Sequence, residues 1–224
     1  MPIKSDREYR DMEMEIRAKA EDLPDDEQDE QEEEQEEGRM IVEGYATTFN
    51  EPYTLYQDEE LRYDEQVDAD AFANTDMSDV IMQYDHNGRV FARLSNGTLS
   101  VTPDERGLLI EADLGGTELG RQLYEEIRGG YTNRMSFGFT VDDDDVQEDE
   151  DEEGRLLVTR TIKSVRKLYD VSAVSIPAND ATSISVRNLT DGVIEKMKAE
   201  RLEREAIELR RRKMMMRLKL EGQK

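Results

Sequence analysis

The chain has 224 residues, of which 36% are hydrophobic and 38% charged, with a formal net charge of −25 and no cysteine. An average globular domain is about 45–50% apolar and about 25% charged, so a normal core is diluted here by solvated segments. Without Cys there is no disulfide framework, thiolate nucleophile or zinc ribbon; the single His excludes a multi-histidine metal site; and the bulk charge opposes nucleic-acid binding.

The acid is concentrated. Residues 1–38 hold 17 Asp/Glu against 5 Lys/Arg, residues 142–153 hold 10 acids and no base, and residues 188–224 hold 11 bases against 7 acids. That leaves −7 for the remainder, an ordinary value for a globular core. No apolar run approaches the roughly 20 residues of a membrane span. The N-terminus lacks the apolar stretch of a signal peptide, so a soluble intracellular protein is expected, with no membrane partner.

In chain order, residues 5–20 carry mixed charge and few apolar positions, and read as a short solvated helix. Residues 21–38 are low-complexity acid and read as a disordered tether, because like charges repel and nothing there can be buried. β-Strands are predicted over 41–49, 80–86, 89–94, 98–102, 108–114, 135–141, 156–163 and 168–176, rich in Val, Ile, Thr, Tyr and Phe and bounded by turn residues. Asn87-Gly88 and Glu105-Arg106-Gly107 read as turns. Residues 70–74 suit a helix of a turn or two. A clear helix follows Thr117, which can cap it; Leu119, Leu123 and Ile127 recur at helical spacing, and Gly129-Gly130 stops it. The acidic run 142–154 reads as a long solvated loop inside the domain. A third, basic helix is predicted from about 191 to 220. The sum is a β-rich α+β domain over 39–187, flanked by an acidic, largely disordered segment 1–38 and a basic helical tail 188–224.

Three residues stand out as carriers of chemistry. His86, the only histidine, closes a strand beside a turn, where a side chain is both held and accessible. In the strand 135–141, Met135, Phe137, Phe139 and Val141 point to the core, so Ser136, Gly138 and Thr140 face the open side. Ser136 then stands outward beside a glycine that leaves room for another backbone. Asp170 shares a strand face with Leu168, Ser172, Val174 and Ile176. An acid in that register needs a partner: a histidine, or else Arg166 or Lys167. Asp85 and Glu111 are weaker candidates for the same role. His86, Ser136 and Asp170 are the residue types of a serine-hydrolase triad, but no spacing rule singles them out. LGGTELGRQ lacks the phosphate-loop lysine and the dinucleotide spacing, and the acid runs hold no EF-hand pattern, so no cofactor or metal is expected.

Several segments, in order, then resemble one family: VEGYATTFN (42–50), DADAF (68–72), VIMQYDHNGRVFARL (80–94), RGLLIEADL (106–114), TELGRQLYEEIRGGYTNRMSFGF (117–139) and LYDVSAVSIPANDATSISV (168–186). They resemble the prohead serine proteases of tailed bacteriophages, which are similar in fold to the herpesvirus assemblins. The resemblance implies an assemblin-like barrel of about 6–8 strands with packed helices. It implies that Ser136 is the nucleophile and His86 the general base. Phage members usually carry an acid before VS, a position held here by Asp170, although Glu is commoner there. Herpesvirus relatives use a second histidine, which this chain lacks. The acidic insert 142–153 also departs from the family's compact pattern. Arg166 is a candidate on the oxyanion side.

The implied activity is a serine endopeptidase that cleaves capsid scaffold and capsid protein inside the prohead during maturation, and also itself. The implied partners are the major capsid protein with its scaffolding region, and further copies of the chain. The implied location is the host cytoplasm, inside the prohead. The alternative is a non-catalytic capsid-assembly or scaffold protein with the same fold, which the charged tails would suit. An acidic histone-like chaperone rests on charge alone and leaves the β core unexplained.

Overall fold

The computed structural model of the chain describes residues 7–19, 39–152, 154–175 and 184–221. It divides into two compact units, Met1–Ser183 and Ile184–Lys224. The first unit runs β1 (Glu8–Ala18), β2 (Ile41–Thr48), β3 (Tyr53–Gln57), β4 (Leu61–Val67), β5 (Ile81–Tyr84), β6 (Asn87–Arg93), β7 (Leu99–Pro103), β8 (Gly107–Asp113), α1 (Glu118–Arg128), β9 (Arg134–Glu150) and β10 (Leu156–Val174). Strands lie side by side in the order β3-β4-β10-β9-β1-β2-β8-β7, with β5 also on β10 and β6 beside β5.

The long β10 organises this sheet. Its first half pairs in parallel with β4, from Leu156↔Leu61 to Ile162↔Val67, and its second half with β5, from Asp170↔Ile81 to Ala173↔Tyr84. Register shifts against β9 between Ile162 and Asp170 are the irregularities that bend and twist such a strand. The sheet therefore forks along β10. The expected barrel does not close among the described residues, because β3 and β7 end the strand path. The class is α+β and β-rich, as expected.

Met135, Phe137 and Phe139 of β9 form the middle of the core, with the two phenyl rings stacked at 4.5 Å. Leu168 of β10, Met82 of β5 and Ile110 of β8 are buried in the same cluster. The helix α1 starts where Thr117 Oγ1 accepts the Gly120 N–H, and it buries Leu123 and Ile127.

Four sequence-based expectations change. The stretch read as a solvated helix is the strand β1, paired with β9 on one side and β2 on the other. Glu, Met, Arg and Ala are helix formers, but the open edges of β9 and β2 offer backbone partners that outweigh propensity. The N-terminal segment thus contributes a central strand; the tether over 21–38 lies outside the described residues. Next, β3 and β4 were not expected. In β4 the buried register is Leu61, Tyr63, Glu65 and Val67, and the acid among them hides the alternation.

The acidic run at 142–154 is not a loop. It extends β9 to Glu150, which pairs with Leu156 across the turn. Its side chains are exposed, and the ladder to β10 brings cations against them: Arg160 meets Asp144 at 2.5 Å and Arg166 meets Asp142 at 2.9 Å. Finally, residues 70–74 form hydrogen-bonded turns, Ala71 N–H to Asp68 and Ala73 N–H to Asp70, not a helix.

The second unit contains α2 (Ile184–Glu221), 38 residues long and starting before the expected position near 191. Lys196–Glu200 and Arg201–Glu205 are i,i+4 pairs on its surface. No described helix is long and apolar enough to cross a membrane.

Candidate active site

Tyr84 pairs with Asn87, so the two residues between β5 and β6 are Asp85 and His86. Both have positive φ, 49° and 54°. A two-residue type I′ hairpin turn needs positive φ at both centres, and Asp and His tolerate it better than most residues. The turn therefore sits on His86 itself, not on Asn87-Gly88, which open β6. Asp85 ties the turn down, accepting the Ser175 N–H at 2.9 Å and the Ser175 hydroxyl at 3.0 Å. The imidazole is thus carried on a short, anchored hairpin.

In the β9–β10 ladder Ser136 lies opposite Ser172, and Gly138 opposite Asp170. β5 lies along the other side of β10 at Asp170–Ala173. Three neighbouring strands therefore deliver the three candidate residues to one place. His86 Nε2 lies 2.5 Å from Ser136 Oγ, and His86 Nδ1 lies 2.5 Å from Asp170 Oδ1. The Ser172 hydroxyl donates to Asp170 Oδ1 at 3.0 Å and sits 3.2 Å from Nδ1. Gly138 makes room for the acid, since a Cβ there would lie 2.5 Å from Asp170 Oδ2.

Asp170 shares its face with Ser172 and Val174, but not with Leu168 as expected. A register shift between Leu168 and Asp170 sets Leu168 opposite Phe139 on the core side and Asp170 opposite Gly138 on the Ser136 side, where the partners that compensate its burial are His86 and Arg7. Arg166 and Lys167 pair elsewhere, with Asp142 and Asp76. The weaker acids are also committed elsewhere, Asp85 to Ser175 and Glu111 to Lys19. Arg166, engaged towards the distal hairpin, does not fit the oxyanion role.

One expectation for Ser136 fails. Its face is right, opposite the Phe137 and Phe139 side, but the hydroxyl is not open to solvent: Ser136 and Asp170 are both 0% exposed. The cover is β1. Tyr9 packs edge-on against His86 with centroids 4.5 Å apart, Arg7 ion-pairs with Asp170 Oδ2, and the Arg10 carbonyl accepts from Ser136 Oγ at 3.0 Å. Burial pulls Arg7 below the usual guanidinium value, against the opposing pull of Tyr9 and Tyr169. Nothing in the sequence pointed to Arg7, Tyr9 or Arg10, which lie over a hundred positions from Ser136. Ser172 was legible, since it shares the strand face of Asp170.

A hydroxyl, an imidazole and a carboxylate joined in this order can move a proton from Ser136 to His86 while the acid holds the Nδ1–H tautomer. Residues 27–199 match the family model of the caudovirus prohead serine protease. The chain belongs to that family. No curated protein and no solved structure matches it. Prohead serine proteases are serine peptidases, and His86, Ser136, Asp170 and Ser172 all lie inside the matched region of this member, whereas β1 lies before it.

Proposed function

We propose that this prohead protease is a serine endopeptidase in which Ser136 is the nucleophile, His86 the general base and Asp170 the orienting acid. The supporting observation is the continuous link from Ser136 Oγ through His86 to Asp170, with 2.5 Å at each contact. In the forward step Ser136 Oγ attacks the peptide carbonyl carbon and its proton passes to Nε2. The imidazolium then protonates the leaving amine as the C–N bond breaks. Water, deprotonated by His86, releases the acyl group and restores Ser136. Asp170, fixed through Oδ1 by Ser172, keeps Nδ1–H pointing inward and stabilises the imidazolium.

The substrates we infer are the capsid protein and its scaffolding region inside the prohead, with the chain itself a further target. The test is co-expression of the full chain with its capsid protein, with and without Ser136→Ala. The alanine variant should leave the capsid protein full length, because losing a serine nucleophile lowers kcat on the order of 10⁶-fold. Equal trimming by the variant would remove Ser136 from the chemistry. Full-length capsid protein both with the unaltered chain and with a Tyr9→Ala chain, which uncovers His86, would favour a non-catalytic assembly role.

A further inference from the structure

Ser136 is sealed by a segment outside the family-matched region, and the manner of sealing is specific. Residues 8–12 run antiparallel along the edge of β9 not used by β10, from Glu8↔Phe139 to Met12↔Met135. An extended peptide added to a sheet edge makes this kind of ladder, with backbone bonds supplying affinity and side-chain pockets supplying selection. The register sets Asp11 opposite Ser136, and the Arg10 carbonyl is the one in contact with the hydroxyl. The peptide bond presented to the nucleophile is therefore Arg10–Asp11.

The Arg10 side chain enters a closed pocket. Its Nε and Nη2 meet Glu65 Oε1 and Oε2 at 2.5 and 2.9 Å, a bidentate grip, and its Cζ lies 5.6 Å from the centroid of the Phe139 ring. Glu65 is 0% exposed. Burial would raise its pKa, but the charge and hydrogen bonds of Arg10 prevail and hold it below the usual carboxylate value. Glu65 also accepts from Arg160 at 2.9 Å and from Tyr53 at 2.6 Å. Those two partners belong to β10 and β3, so the carboxylate stays compensated when Arg10 leaves.

We propose that residues 7–11 occupy the substrate cleft as an intramolecular pseudosubstrate, with Arg10 at the position of the residue whose carbonyl is attacked. The cleft is accordingly built for extended peptides that carry arginine or lysine there, read by Glu65. This rests on the peptidase reading above.

The segment blocks the site without being aligned for cleavage. Its carbonyl oxygen takes the hydrogen bond of the nucleophile itself, whereas attack needs that oxygen turned to other donors and the carbon turned to Oγ. Ser136 has one proton, and a proton given to the Arg10 carbonyl is not available to His86. Tyr9 covers the imidazole and Arg7 grips the free oxygen of Asp170. Access then requires that residues 7–12 leave the edge of β9, while Ile16–Ala18 stay paired with β2.

The test uses the full chain and two readouts. The first is the rate at which a fluorophosphonate labels Ser136, with Ser136→Ala as the blank. Arg10→Glu opposes Glu65 and should raise labelling at least about tenfold, since reactivity scales with the open fraction. Tyr9→Ala leaves the Arg10 grip intact and should raise it by a smaller factor, so the answer does not hang on one variant folding; circular dichroism checks both. Wild-type labelling as fast as in either folded variant overturns the pseudosubstrate. The second readout is turnover, by the opened chain, of fluorogenic peptides with Arg, Lys, Ala or Glu before the cleaved bond. Arg and Lys peptides should lead in kcat/KM by about 10²-fold or more, and Glu65→Gln should shrink that lead, as loss of a buried charge partner does. Equal turnover of Ala and Arg peptides overturns the specificity. If folded variants neither label nor cleave any peptide, the peptidase reading falls and this inference falls with it.

Discussion

Replacing Asp170 by Asn separates chemistry from scaffold at the candidate site. The substitution keeps the shape of a side chain that is 0% exposed, 2.5 Å from His86 Nδ1 and 3.0 Å from the Ser172 hydroxyl. An amide can present N–H to Nδ1, which moves the imidazole proton to Nε2, where the Ser136 proton must go. In triads of this type the loss is about 10⁴-fold in kcat, equivalent to about 5 kcal/mol of transition-state stabilisation at 1.36 kcal/mol per tenfold. Stability should fall far less. The lost ion pair is to Arg7, whose side chain is 34% exposed and keeps contact with water, so solvent screening limits the effect to about 1 kcal/mol. In a chain of this size that lowers Tm by about 2–4 °C. The assay is turnover of the co-expressed capsid protein, or of a basic fluorogenic peptide, beside a thermal melt of the same preparation. Near-wild-type turnover with a clearly lowered Tm would refute the orienting role and leave Asp170 as an ion-pair partner only.

Gly138→Ala should reduce turnover by at least about 10²-fold with expression retained, because a Cβ 2.5 Å from Asp170 Oδ2 pushes the acid off His86, and errors of about 1 Å in such sites have that effect; unchanged kcat would show that the acid has slack. Glu65→Gln should destabilise the chain by about 3–5 kcal/mol at pH 7, measured by denaturant unfolding, since it removes one partner from a buried pair with Arg10. The same group sets an acid limit. Its folded pKa is depressed, so its contribution is complete above the unfolded value of about 4.3 and is lost as pH falls through the lower folded value. The stability gap between wild type and Glu65→Gln should therefore be constant from neutral pH to about pH 5 and narrow below pH 4; a gap independent of pH down to acid unfolding would place Glu65 outside that linkage.

The site was legible where the signal was local. Alternation along 135–141 separated Ser136 from Phe137 and Phe139, and the same period set Asp170 and Ser172 on one face. The histidine drew notice by standing at a strand end, although the turn is formed by Asp85 and His86 and not by the residues after them. Glu65 escaped notice because an acid in an apolar register looks like a break in a strand, until Arg10, Arg160 and Tyr53 are seen to compensate it. The burial of Ser136 escaped for a different reason: its cover comes from β1, whose composition favours a helix.

The β-rich class, the cap and stop of α1, the core face of β9 and the three residue types of a triad were determined by the sequence alone, because each depends on periodicity or on side-chain chemistry within a few positions. Only the tertiary structure decided that the acidic run is a paired strand, that residues 8–18 are a strand at all, and that Arg7, Tyr9 and Arg10 lie on Asp170, His86 and Ser136. Those outcomes depend on backbone edges and buried charges supplied by strands far away in the chain. A free strand edge or an uncompensated carboxylate is a property of the assembled sheet, and no local pattern in the partner segment announces that it will be the one to fill it.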